Sequence, residues 1–163
     1  YDSYTDKPVA SASGTGEPSF SSELPILVEE AVLSYMDQFN SRLMGHFTDI
    51  VENGREVKLR FSRYDTFEYY FTDYVGEDYE ELAEIILEWF YNNTVNGVFK
   101  PDIQDNNMTF TDVRIPLYDE NGRAVDVRRW SSDIRRLLGR DYGIPSSQQQ
   151  KGLGEVLFIL GER

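Results

Sequence analysis

The chain reads as an α+β domain: a mostly antiparallel sheet of about five strands, with a long N-terminal helix and two further helices packed on it. Three features of the 163 residues predict this. Apolar residues recur at steps of three and four from Val28 to Ile50, the helical period. At Val57 the period switches to two. Later apolar stretches are joined by short turns such as Asp119–Gly122, so hairpins outnumber βαβ crossovers.

Each element follows from its local sequence. Residues 1–22 are rich in Ser, Thr, Gly and Pro and too poor in apolar side chains to order themselves, which predicts a flexible arm before a single domain over 23–163. Ser22 reads as a helix cap with Pro25 tolerated in the first turn; Val28, Val32, Tyr35, Met36, Phe39, Leu43, Phe47 and Ile50 form the stripe, and Asn53-Gly54 stops the helix. Val57, Leu59 and Phe61 alternate with Lys58 and Arg60 in a first strand, and a turn at Arg63–Thr66 predicts a second over Phe67–Phe71. A second helix is expected over Asp78–Asn92, with acids in its first turn and Leu82, Ile85, Ile86, Trp89 and Phe90 inward. Residues 92–107 read as a polar connection. Val113, Ile115 and Leu117 form a third strand beside an edge-marking Pro116, and Asp119–Gly122 turns into a fourth with Val125 and Val127. A short helix capped by Ser131 or Ser132 covers Ile134–Leu138 and stops at Gly139. Glu155–Leu160 is apolar enough for a strand buried on both faces.

Composition excludes several functions. There is no cysteine, so disulfides, thiolate nucleophiles and zinc-thiolate sites are absent together. The formal charge of −13 opposes direct binding to nucleic acid through a broad basic face. No apolar run approaches the roughly 20 residues of a transmembrane helix. A start at Tyr1 fits either a trimmed chain or a mature one whose targeting segment has been removed, and only the second implies export or organelle import. The charge is unevenly placed: residues 65–88 carry acids alone, whereas residues 114–140 hold Arg114, Arg123, Arg128, Arg129, Arg135, Arg136 and Arg140.

The most biased stretch is residues 64–81, with seven aromatics and seven carboxylates in eighteen positions. Its core-facing rings satisfy the fold, while Glu68, Tyr70, Tyr74 and Tyr79 are not required there and read as partner-binding residues. Arg128, Arg129, Trp130 and Arg135 form the second candidate surface, since Arg beside an aromatic is the composition of interface hot spots. Catalytic signals are weaker. His46, the single histidine, lies on the margin of the first helix's stripe and reads as a packing residue. Asp65, Glu68 and Asp73 would serve a sugar site only if they converged with Tyr rings. The oxygen-rich segments Asp102–Asn107 and Asp119–Gly122 lack EF-hand spacing and read as turns. Asn92-Asn93-Thr94 and Asn107-Met108-Thr109 match the glycosylation sequon at chance frequency.

The expected function is therefore a non-enzymatic accessory subunit that docks other proteins of a larger assembly through both surfaces, without cofactor, metal or catalytic residues. The arm suits tethering to a membrane-associated complex. Two alternatives carry distinct geometric signatures. A carbohydrate-binding or hydrolysing domain needs converging Tyr-lined carboxylates, and an acidic mimic of nucleic acid needs carboxylates in duplex-like rows.

Overall fold

The computed structural model describes residues 1–13 and 24–162. The cap at Ser22 and the arm from residue 14 to 22 lie outside the described residues. Helix α1 runs over Leu24–Asn53 and ends at Gly54, whose φ is +81° and where a Cβ would stand only 2.5 Å from the Ile115 carbonyl oxygen. Strand β1, Arg55–Arg63, then buries Val57, Leu59 and Phe61 and turns Lys58 and Arg60 outward.

The remaining elements are β2 (Tyr74–Val75), β3 (Glu80–Glu81), α2 (Leu82–Asn93), β4 (Lys100–Gln104), β5 (Asn107–Ile115), α3 (Val127–Asp141), β6 (Ser146–Gln150) and β7 (Glu155–Leu160). Five strands form one sheet in the order β4-β5-β1-β7-β6. Three of its pairings are antiparallel, and β1 with β7 is parallel. The sheet is thus mixed but mostly antiparallel, as the sequence predicts. Strands β2 and β3 make a separate two-stranded ribbon.

Helices α2 and α3 cover one face of the sheet. Phe90 of α2 stacks on Phe110 of β5 with ring centroids 3.9 Å apart, and Phe61 stacks on Phe158 at 4.8 Å, so a row of phenylalanines crosses β5, β1 and β7 beneath the helices. Ile134 and Leu138 bring α3 into the same core. On the opposite face the outward positions of β1, β5 and β7 are polar or half-buried. All the buried apolar side chains among the described residues lie between Val57 and Leu160.

Several expectations are corrected. Residues 67–71 are not a strand: Arg63 donates to the Phe67 carbonyl, the Tyr70 amide donates to Asp73, and Phe71 bonds the loop at Asp105, so the backbone is satisfied by turns. Helix α2 starts at Leu82 rather than Asp78, because residues 80–81 are taken by β3. The polar connection over 92–107 contains β4, an exposed edge strand in which Pro101 is tolerated. No strand forms at Val125–Val127. Tyr118 and Ala124 make an isolated bridge, and Asp126 caps α3 by accepting from the amides of Arg128 and Arg129 at 2.9 and 3.2 Å. Strand β6 was not expected, since its Ser-Ser-Gln-Gln-Gln lacks apolar alternation.

Packing of α1 on the sheet is realised only at its C-terminal end, where Asp49 pairs with Arg114 at 2.8 Å. Ten apolar side chains between Leu24 and Val51 remain at least 37% exposed. Residues 1–13 lie against the C-terminal half of this helix. The Arg55 guanidinium sits 4.0 Å from the Tyr4 ring centre, and Lys7 bonds both Glu56 and Asp112.

Candidate protein-docking face

The β2–β3 ribbon projects two tyrosines. Tyr74 and Tyr79 are 62% and 78% exposed, and Tyr79 is held at φ 54°, a region that bulky L residues rarely occupy. Such backbone persists only where its surroundings over-determine it. Here the ribbon is clamped from below: Gly76, at φ +75°, lets the Tyr142 ring approach within 3.0 Å of where a Cβ would stand. The Tyr142 hydroxyl donates to Glu80 Oε2 at 3.0 Å. Burial, reinforced by the Glu80 carboxylate, pushes the Tyr142 hydroxyl up to about 12, so it remains a donor throughout the physiological range. Beside the ribbon lies a hollow of about 290 Å³ walled by Tyr74, Tyr79, Glu80, Glu84, Ile85 and Glu88.

Helix α2 carries this acidic edge to α3. One turn after Ile85, Trp89 meets Trp130 with ring centroids 4.9 Å apart, and Phe90 contacts the same indole at 6.2 Å. Trp130 is half-buried and forms one wall of a second hollow of about 540 Å³, whose rim includes Tyr118, Val125, Arg129, Asp133 and Arg136. Arg136 pairs with Asp133 at 2.8 Å, and Arg129 lies 3.7 Å from Asp119. These ion pairs are exposed and worth less than about 1 kcal/mol each, so the guanidiniums are free to exchange partners.

The two predicted surfaces are therefore partly united. Tyr74 and Tyr79 stand on the acidic side and Arg129 and Trp130 on the basic side, and the buried Trp89 links α2 to α3 beneath them. Arg128 and Arg135, seven residues apart on α3, occupy the flank toward β6, where Gln148 bonds the Arg128 carbonyl at 2.7 Å. Glu68 lies exposed in the loop before β2, and Tyr70 is stacked under the Arg63 guanidinium at 4.1 Å. The acids Glu80, Glu84 and Glu88 and the aromatic Tyr118 were not singled out from sequence. Their signal was available in part, because Glu80, Glu84 and Glu88 recur at helical spacing.

The remaining candidates fall elsewhere. His46 Nε2 lies 3.9 Å from Asp2 Oδ2 where the N-terminal segment crosses α1. Asp73 is used by the turn at Tyr70. Asp105 and Asn106 form the β4–β5 turn, and Asp119 caps its own turn by accepting from the amides of Asn121 and Arg123. Among the described residues no group of three His, Asp or Glu is placed to hold a metal ion, and no helix is long and apolar enough to cross a membrane.

Residues 55–161 match the family model described as "Domain of unknown function (DUF6175)". No curated protein and no solved structure matches the chain.

Proposed function

We propose that this chain, which belongs to the DUF6175 family, is a non-enzymatic interaction subunit that docks a protein partner on its helical face. The observation that supports this reading is the Trp89–Trp130 contact, which sets an acidic, tyrosine-bearing edge directly beside an Arg-rich one. Trp89 is buried and supports the half-exposed Trp130, which with the exposed Tyr74 and Tyr79 supplies rigid aromatic area, while charges of both signs around them select orientation. The partner that fits is a protein surface with a basic patch opposite Glu80, Glu84 and Glu88 and an acidic patch opposite Arg129 and Arg136. Guanidiniums beside the acid row favour such a partner over mimicry of nucleic acid. The use of Asp73 in a turn favours it over a sugar site.

Affinity capture from native extract, followed by identification of co-purifying chains, tests the reading. One defined partner should be recovered by the wild-type protein. Its affinity should fall at least about tenfold, or about 1.4 kcal/mol, in both the Glu80→Lys/Glu84→Lys/Glu88→Lys and the Arg129→Glu/Arg136→Glu variants. Equal recovery by both variants, or no recovered partner, sinks the reading.

A further inference from the structure

Helix α1 carries a second surface, remote in sequence from the docking face. Leu33, Met36, Met44, Phe47 and Val51 are 49–73% exposed, and with Asn40 they recur at steps of three, four, four, three and four. These steps average 3.6 residues, so the six positions run straight down the helix for about 27 Å. Residues 1–13 lie along the adjoining flank, against Leu43, His46 and Ile50, and reach the edge of Phe47, which is still 52% exposed. The seam therefore stays open while that segment is seated.

We propose that this seam pairs with the same seam of a second copy of the chain, the two α1 helices lying parallel and in register about a two-fold axis. The area is that of a modest but specific contact. Apolar side chains of this kind offer of order 100 Å² each, so the five of the seam, with Ile26 two turns before Leu33 on the same line, present of order 600 Å² per copy before Asn40 and the stems of flanking residues are added, against about 800 Å² per partner in a standard interface. The three-four spacing is that of helices that interlock with helices. An anionic lipid surface does not fit, because α1 carries Glu29, Glu30, Asp37, Asp49 and Glu52 against Arg42 alone.

Asn40 decides the register. Parallel and in register, its amide meets its own counterpart, the best-attested use of a lone Asn in a helical seam. In the antiparallel arrangement centred on the seam, Asn40 faces Met44 and loses hydrogen bonds that salt does not restore. The opposing consideration is repulsion between two chains of charge −13, which the parallel arrangement brings to the same end. That repulsion is screened beyond about 8 Å at physiological ionic strength, so the buried amide prevails.

Sedimentation equilibrium and single-cysteine cross-linking of the full chain test the proposal. The wild-type protein should reach 37.8 kDa, twice its 18.9 kDa. The Leu33→Asp/Met44→Asp variant should dissociate at least about a hundredfold more readily, with its near-ultraviolet circular dichroism unchanged. Because the chain has no cysteine, Leu33→Cys should oxidise to a covalent dimer. A wild-type monomer at concentrations up to about 100 µM overturns the pairing, whether or not it binds phosphatidylcholine vesicles. So does a dimer that persists in the double variant. A dimer in which Leu33→Cys stays unlinked overturns the parallel register.

Discussion

Asp112 is held by two ammonium groups, those of Lys7 and Lys100. It occupies the β5 bulge, where Lys58 of β1 alone opposes Thr111 and Asp112 of β5, and its φ of 52° suits Asp better than most L residues. Hydrogen bonds from Lys100 and then Lys7 hold its carboxyl down at about 2, below the ordinary 3.8. A group depressed in the folded state stabilises the fold above its unfolded pKa and loses that contribution as pH falls through the folded value. The stability difference between wild type and Asp112→Asn should therefore be full at pH 5 and above, shrink from about pH 4, and approach zero near pH 2. Urea midpoints measured across that range check it, and a gap that widens on acidification would contradict the assignment. Gly76 is the second residue whose backbone carries consequence. Gly76→Val would place a branched Cβ at positive φ against the Tyr142 ring, which should cost about 1–2 kcal/mol for the backbone alone and lower the melting temperature.

Among the elements, legibility from sequence followed how strongly each one is dictated by burial. Strand β7 was readable to the residue because Val156, Phe158 and Leu160 are fully buried and their neighbours half-buried. Strands β4 and β6 were not, since edge strands pair through backbone bonds that Pro101 or Gln149 neither advertise nor prevent. The error at residues 67–71 has the opposite origin: aromatic alternation imitates a strand, while the actual backbone partners are side chains of Arg63 and Asp73. On the candidate face, Tyr79, Arg129 and Trp130 were visible as residue types, but their adjacency depends on Trp89 meeting Trp130, a contact between two helices that no local pattern encodes. Helix α2 depends on one ring in particular. Phe90→Ala removes the partner of Phe110 and Phe61 together and should cost about 3–5 kcal/mol, read as a lowered denaturant midpoint with an unchanged slope.

For the whole molecule, the limits of the core coincide with the limits of the family match. Every buried apolar side chain among the described residues lies within 57–160, and the match spans 55–161. A protein cut to residues 55–161 should therefore unfold cooperatively with its near-ultraviolet spectrum retained, and sediment as a monomer because α1 is gone. A fragment lacking a cooperative transition would show that α1 or residues 1–13 are needed by the core.

The parallel pairing of β1 with β7 bears on how the protein is made. Synthesis proceeds from the N-terminus, so the earliest strand of the sheet waits for the last one before its second edge is closed. Until β7 emerges, β1 presents a bare row of donors and acceptors beside Phe61, the kind of template on which nascent chains aggregate. Contacts of such long sequence separation also slow folding. Translation that stops before Glu155 would release a chain unable to complete its sheet, so the codons for β7 govern whether β1 ends up in a folded product.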